Sequence, residues 1–75
     1  MIELDTLRKG SKGEQVKTLQ RLLKAFGYSL GSVDGDFGTN TEKALVKYQK
    51  KEGLTQDGIC GQKTWESLLK EGGAL

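Results

Sequence analysis

Three aspartates are the residues of this chain most suited to chemistry: Asp34, Asp36 and Asp57. A pair of carboxyl groups can act as acid and base in glycoside hydrolysis. However, Asp34 and Asp57 each precede a glycine, and Asp-Gly is typical of a tight turn in which the carboxylate accepts a hydrogen bond from its own backbone. Asp36 lies one residue beyond such a turn. The pattern therefore favours a structural role for Asp34 and Asp57, and we predict no catalytic residues.

The sequence also lacks the residues that other common catalytic sites and metal sites need. The chain has no histidine and a single cysteine, Cys60, so it lacks the usual nucleophile–base pairs and zinc ligand sets. Asp34 and Asp36 begin like a calcium-binding loop, but Thr39 stands where that loop needs glycine and Leu45 where it needs glutamate. We therefore predict neither a metal nor a cofactor, and we expect Cys60 to be a buried, inert thiol.

The aspartates belong to an internal repeat. The stretch 34–45 returns in altered form as 57–68, with Asp, Gly, Gly, Thr and Leu at matching positions. Each copy is predicted to be a turn that leads into a helix. Because both copies need the same turn, the shared Asp-Gly indicates scaffold. The pair Asp36-Phe37, which becomes Ile59-Cys60 in the second copy, is the better place to look for function, and we expect the first copy to carry any ligand.

Three helices are predicted around these turns. Helix 1 should begin near Lys12, with Ser11 and Glu14 at capping-box spacing, and end at Gly27. Its apolar residues recur every three or four positions, as expected for one buried stripe: Val16, Leu19, Leu22, Leu23 and Phe26.

Gly38 or Thr39 should cap helix 2, with Thr39 and Glu42 at the spacing of a second capping box, and the helix should end at Gly53. Helix 3 should follow Gly61, with Trp65, Leu68 and Leu69 facing inward. We thus predict an all-α fold, a small three-helix bundle with a turn-helix pseudo-repeat and helices of about 14, 14 and 9 residues. Gln20 and Gln49 are expected to bond loop backbone.

Length and charge set further bounds. The 75 residues suit a single domain, 1–75, with a core over about 7–70 and residues 71–75 as a tail or the start of a linker. Twelve basic and ten acidic residues are interspersed to a net charge of +2, which predicts no nucleic-acid partner. No apolar run reaches about 18 residues, and no signal peptide is visible, so neither membrane binding nor a leader is expected in this chain.

A larger set of motifs resembles the peptidoglycan-binding domains of the PGBD-like superfamily, and the resemblance covers about residues 7–69. The motifs are Leu7-Arg-Lys-Gly-Ser-Lys-Gly-Glu-Gln-Val16, Leu19-Gln20, Gly27-Tyr28, Asp34-Gly-Asp-Phe-Gly38, Thr41, Ala44-Leu45, Tyr48-Gln49, Gly53-Leu54, Asp57-Gly-Ile-Cys-Gly61 and Thr64-Trp65.

This resemblance implies a non-catalytic module that anchors a cell-wall hydrolase or phage endolysin to peptidoglycan. The expected partners are peptidoglycan, through its glycan strand or stem peptide, and an attached or neighbouring hydrolase domain. The expected location is extracellular or at the cell wall, or that of a phage endolysin acting on the wall, and we expect a monomer. A protein-interaction or prodomain-like three-helix module is the alternative. Metalloproteinase prodomains, which look similar in fold, carry their thiol after the last helix, whereas Cys60 precedes helix 3.

For such a ligand we predict a shallow cleft between the 34–40 turn and the end of helix 1. A partly exposed aromatic ring could stack on a sugar face, while polar side chains fix hydroxyl and amide groups. In a domain this small, Trp65 is expected to remain partly exposed. The candidate ligand-binding residues are Tyr28, Asp34, Asp36, Phe37, Thr39, Asn40 and Trp65.

Overall fold

The fold is a bundle of three helices joined by ordered loops. The computed structural model describes residues 4–72 and contains α1 (Glu14–Ala25), α2 (Thr39–Lys51) and α3 (Gln62–Glu71). Within that range there is no strand, only two isolated β-bridges, so the predicted all-α three-helix class is confirmed. The α1 helix begins two residues later than predicted.

Both predicted capping boxes are wrong. The residues before the three helices are Gly13, Gly38 and Gly61, and none of these ends has a side-chain cap. The Ser11 hydroxyl accepts the Arg8 N–H at 3.1 Å instead. Thr39 fails as a cap because it is already the first residue of its helix, whereas a capping hydroxyl must come from the residue before.

The predicted helix ends at Gly27 and Gly53 are confirmed. Both glycines have positive φ, +94° and +72°, which L side chains rarely adopt. Tyr28 N–H then donates to Leu23 O at 3.0 Å, and Leu54 N–H donates to Gln49 O at 2.8 Å. These bonds satisfy carbonyls that the helix end would leave open. The two helix ends are therefore equivalent.

The core is formed where one face of each helix meets the other two. All five members of the predicted α1 stripe contact it, with Phe26 partly buried. Leu30, from the loop after α1, joins the core without having been predicted. Leu69 was placed inward and this is wrong: it is 38% exposed, because α3 turns Trp65 and Leu68 inward instead.

The segment before α1 ties both repeat loops to the bundle. Leu7 and Cys60 exchange backbone hydrogen bonds of 3.0 and 2.7 Å. Further along the chain, Phe37 N–H donates to Ser11 O at 2.9 Å and Gly13 N–H to Gly35 O at 3.0 Å. Hydrogen bonds from the segment before α1 thus help to hold both turns in place.

The chain ends fall partly outside the description. Residues 1–3 and 73–75 lie outside the described residues, and with them most of the predicted tail; Glu71 belongs to α3 and Gly72 caps it. Among the helices of residues 4–72, none combines the length and the apolar character needed to cross a membrane.

Candidate functional site

A buried glutamine organises the first repeat loop. Gln20 is 1% exposed, and its Nε2 lies 3.1 Å from Asp34 Oδ1, 3.0 Å from Asp36 O and 3.0 Å from Thr41 Oγ1. Its Oε1 accepts the Gly35 N–H at 2.9 Å. One side chain from α1 thereby fixes the turn and the start of α2. We call Gln20, Asp34, Gly35 and Thr41 the first glutamine cluster.

The second loop is built in the same way around Gln49, which is also 1% exposed. Its Nε2 lies 3.1 Å from Asp57 Oδ1, 3.0 Å from Ile59 O and 3.3 Å from Thr64 Oγ1, while its Oε1 accepts the Gly58 N–H at 3.0 Å. This second glutamine cluster (Gln49, Asp57, Gly58 and Thr64) repeats the first bond for bond. The prediction that both glutamines bond loop backbone is confirmed.

The two repeat aspartates are turn residues. Asp34 Oδ1 accepts the Asp36 N–H at 2.9 Å, and Asp57 Oδ1 accepts the Ile59 N–H at 2.9 Å. The Asp36 N–H, and then Gln20, lower the pKa of Asp34 below its ordinary value because both donate to the ionised carboxylate. A general acid needs the opposite shift. The structural role predicted for Asp34 and Asp57 is thus confirmed.

An open cleft of about 470 Å³ lies over the first glutamine cluster. Gln20 and the loop after α1 form one side, and the first residues of α2 form the other. Most of its lining side chains are polar. We call this the first cleft, and its residues are Gln20, Leu30, Gly31, Ser32, Asp34, Asp36, Gly38, Thr39, Asn40 and Thr41.

The first cleft brings together four of the predicted ligand-binding residues: Asp34, Asp36, Thr39 and Asn40. All four are exposed at the surface. Lys12 Nζ lies 3.7 Å from Asp36 Oδ1, but both side chains are mostly exposed, so the pair constrains Asp36 little.

The three predicted aromatic residues do not line this cleft. Phe37 and Trp65 are each only 2% exposed, and the expectation that Trp65 stays partly exposed is wrong. Trp65 is covered because the segment before α1 folds over it, and its Nε1 donates to Asp5 O at 2.9 Å. A ring so enclosed has no free face on which a sugar could stack.

Tyr28 lies elsewhere, at the edge of the core. Its ring meets that of Tyr48 edge to face, with centroids 6.0 Å apart, and it is half-buried. The residue after a helix-ending glycine often packs back on the core in this way. Tyr28 is not among the residues that line the first cleft, and its predicted part in ligand binding stays a prediction.

The second repeat has a cleft of its own, of about 580 Å³. Its lining differs where the repeat differs, because half-buried Ile59 takes the place of Asp36, and Gln62-Lys63 takes the place of Thr39-Asn40. We call this the second cleft, and its residues are Leu54, Thr55, Asp57, Ile59, Gly61, Gln62, Lys63, Thr64 and Glu66.

Sequence reasoning missed part of the first cleft. Leu30, Gly31 and Ser32 were read as a plain connection, yet they form one of its walls, and Lys24 Nζ donates to Gly31 O at 3.3 Å. The available signal was Leu30, a large apolar residue between small and polar neighbours in a loop. Gln20 was assigned no ligand role, and its polar atoms are indeed used within the protein.

Within residues 4–72 the structure offers neither a cluster of metal ligands nor a reactive thiol. No group of three or more His, Cys, Asp or Glu side chains there could hold a metal ion. Cys60 is fully buried, and this burial raises the pKa of its thiol to about 12 because the thiolate would be poorly solvated. The expectation of a buried thiol is confirmed, and a thiol so rarely ionised is a poor nucleophile.

Comparison with known proteins places this geometry in context. Residues 12–68 match the family described as "Putative peptidoglycan binding domain". Among curated proteins, the chain is 50% identical over 56 residues to the N-acetylmuramoyl-L-alanine amidase CwlM of Mycobacterium tuberculosis, covering 75% of this chain and 14% of the amidase. It is 45% identical over 64 residues to a spore cortex-lytic enzyme of Bacillus cereus, covering 85% of this chain and 25% of that enzyme.

The fold is matched over nearly its full length. The crystal structure of the SleB N-terminal domain aligns with a TM-score of 0.89 and 41% identity, covering 95% of this chain and 97% of that domain. By contrast, the chain spans a quarter or less of the two enzymes named above. The matching family is a binding domain and not a catalytic one.

Proposed function

Because the chain belongs to this family of peptidoglycan-binding domains, we propose that it binds peptidoglycan through the first cleft and holds an attached cell-wall hydrolase at its substrate. The observation that carries the proposal is the group Asp34, Asp36, Thr39 and Asn40, exposed on a wall that buried Gln20 makes rigid. A rigid polar wall can bind a ligand without first losing conformational freedom.

The chemistry of the first cleft suits a ligand rich in hydrogen-bond donors. Carboxylates accept hydrogen bonds only, so Asp36 and the free lone pairs of Asp34 call for hydroxyl, amide N–H or ammonium groups. Asn40 and Thr39 can both donate and accept. Peptidoglycan offers such groups on its glycan strand and on its stem peptide, and the proposal covers both.

The proposed role of the module is to tether a linked catalytic domain to its substrate. An open cleft of this size on an 8.2 kDa domain suggests modest affinity. A linked catalytic domain nevertheless gains a raised local concentration of substrate whenever the module is bound. The amidase and cortex-lytic names of the relatives support this arrangement. We place the protein at the cell wall, as a monomer, with a bacterial hydrolase or phage endolysin as the enzyme it serves.

The repeat supplies a matched pair of variants to test the cleft. Thr39→Ala/Asn40→Ala removes two side chains from the start of α2, and Gln62→Ala/Lys63→Ala removes the equivalent two from the start of α3. Both pairs are exposed, so neither should unfold the domain. Purified domains are incubated with washed sacculi and sedimented, and bound protein is measured against concentration.

We expect the Thr39→Ala/Asn40→Ala variant to bind about tenfold more weakly, for two lost hydrogen bonds, and the Gln62→Ala/Lys63→Ala variant to bind like the parent. The reverse order would move the site to the second cleft. A parent domain that stays in the supernatant would contradict wall binding itself and favour the protein-interaction alternative.

A further inference from the structure

Each repeat contains a dipeptide that is prone to a spontaneous covalent change. In Asp-Gly, the glycine nitrogen can attack the aspartate Cγ, forming a C–N bond while a carboxyl oxygen leaves as water. The succinimide ring that results adds water at either carbonyl, giving back aspartate or giving isoaspartate. No oxidation is involved. Glycine favours the reaction because it has no side chain to crowd the ring.

The first glutamine cluster opposes this reaction at both reacting groups. The Gly35 N–H, whose nitrogen would attack, donates to Gln20 Oε1 at 2.9 Å. The Asp34 carboxylate, which would be attacked, accepts from Gln20 Nε2 at 3.1 Å and from the Asp36 N–H at 2.9 Å. Ring closure must break these bonds, and because Gln20 is buried, water cannot readily replace them.

The second cluster holds its dipeptide through the same atoms. Gly58 N–H donates to Gln49 Oε1 at 3.0 Å, and Asp57 Oδ1 accepts from Gln49 Nε2 at 3.1 Å and from the Ile59 N–H at 2.9 Å. Each dipeptide is bonded by its own buried glutamine, and the two glutamines lie on different helices. The effect of one glutamine can therefore be tested at its own site while the other site serves as the control.

We propose that Asp34-Gly35 and Asp57-Gly58 are latent sites of isoaspartate formation, and that Gln20 and Gln49 each protect the adjacent dipeptide in the folded domain. The proposal does not depend on what the first cleft binds. Isoaspartate would add a methylene to the backbone of the loop. At Asp34 that change would lie in the wall of the first cleft.

The lowered pKa of the Asp34 carboxyl also opposes isoaspartate formation. The oxygen that leaves as water must first be protonated, and the donors around Asp34 lower the pKa of its carboxyl. The protonated, reactive fraction at neutral pH is therefore reduced.

The test uses the parent chain and two variants, Gln20→Met and Gln49→Met, which keep the side-chain length but remove its hydrogen bonds. Each protein is incubated at neutral pH below its unfolding temperature, with the folded fraction followed by circular dichroism, and then digested with trypsin. Residues 25–43 and 52–63 are released as separate peptides, each with one Asp-Gly. Chromatography with mass spectrometry, in water carrying a heavy oxygen isotope, measures isoaspartate in each.

We expect Gln20→Met to raise the rate at Asp34 about tenfold or more relative to the rate at Asp57, and Gln49→Met to do the opposite. A core variant, Leu68→Ala, serves as the control for global opening and should raise both rates together. The proposal is overturned if the glutamine variants change neither rate or change both equally.

A measurement on the parent needs no variant. The same two peptides, released by digestion before incubation, have lost their glutamine clusters. We expect isoaspartate to form in both peptides about tenfold or more faster than in the folded chain. Equal rates in peptides and folded protein would overturn the proposal even if both glutamine variants failed to fold.

Discussion

Gln20 Nε2 lies 3.1 Å from Asp34 Oδ1, and the same atoms of Gln49 and Asp57 are 3.1 Å apart in the second repeat. Two loops that differ in their exposed residues are therefore held by the same kind of buried hydrogen-bond network. The buried glutamine network is common to both copies, whereas the exposed side chains that line each cleft differ between them.

The first prediction compares the two supports. Gln20→Met and Gln49→Met each leave an aspartate, a glycine N–H and a threonine hydroxyl without their buried partner, so each should lower the free energy of unfolding by about 1–3 kcal/mol. Only Gln20→Met should also weaken sedimentation with sacculi, because only Gln20 positions the first cleft. Urea unfolding and the sacculus assay at a temperature where both variants are folded provide the two readings. Equal loss of binding in both variants would count against the first cleft.

The second prediction concerns two turn glycines. Gly35 has φ +79°, and a Cβ there would lie 3.2 Å from the backbone oxygen of Gly13. Gly58 has φ +69°, but its Cβ would meet the flexible Glu42 side chain at 3.1 Å. Both alanine variants should lose about 1–2 kcal/mol for the left-handed backbone, and Gly35→Ala should lose more because a backbone atom cannot move aside as readily.

Chemical denaturation of Gly35→Ala and Gly58→Ala measures this difference. Gly38→Ala is the control, since Gly38 has a φ of −105° and nothing lies within 4 Å of its Cβ position. A Gly58→Ala variant less stable than Gly35→Ala would contradict the packing described for the two turns.

The third prediction is a loss of stability at high pH. Burial raises the pKa of Cys60 from 9.0 to about 12, and burial, as the largest cause, raises that of Tyr48 from 10.0 to about 12. For both groups the folded state favours the protonated form. The stability they contribute is therefore complete below the unfolded pKa and is lost as pH rises from about 9 towards 12.

Thermal unfolding between pH 8 and pH 12 follows this loss, with Cys60→Ala as the control. For Cys60 the slope approaches about 1.4 kcal/mol per pH unit once the unfolded thiol is ionised. The variant should keep its stability up to about pH 10, where Tyr48 begins to act. Parallel curves for parent and variant over pH 9–10 would argue against a buried thiol.

The fourth prediction tests whether Trp65 is enclosed. Its ring is 2% exposed and its Nε1 is bonded to Asp5 O. The fluorescence of this single tryptophan should be little quenched by iodide, and saturation with soluble peptidoglycan fragments should leave quenching and emission maximum unchanged. Denatured protein is the control for full quenching. Strong quenching of the folded domain, relieved by ligand, would restore Trp65 as a binding platform.

The structural features that could be predicted from the sequence are those determined by residues close together in the chain. Helix ends at Gly27 and Gly53 were predictable because positive φ requires glycine there. The repeat revealed that Asp34 and Asp57 serve turns. The capping box at Ser11 failed because the chain before α1 is committed to the loop around Phe37, a contact far from Ser11 in sequence.

The candidate site was predictable in part for the same reason. Asp36, Thr39 and Asn40 are near one another in sequence, so their grouping followed from the turn. The burial of Trp65 depends on residues before α1 that are about 60 positions away, and periodicity carries no such information. The wall formed by Leu30 and Ser32 likewise depends on how the loop crosses the bundle.

We propose that the first cleft, and not the second, receives peptidoglycan. An isotope-labelled sample of the domain, titrated with soluble muropeptide fragments and followed by two-dimensional NMR, tests it directly. We predict that backbone amides of Gly31, Ser32 and Asn40 shift with a saturable dependence on ligand while those of Thr55 and Lys63 stay in place. Shifts confined to Thr55 and Lys63, or no shifts while sacculi still sediment the domain, would contradict it.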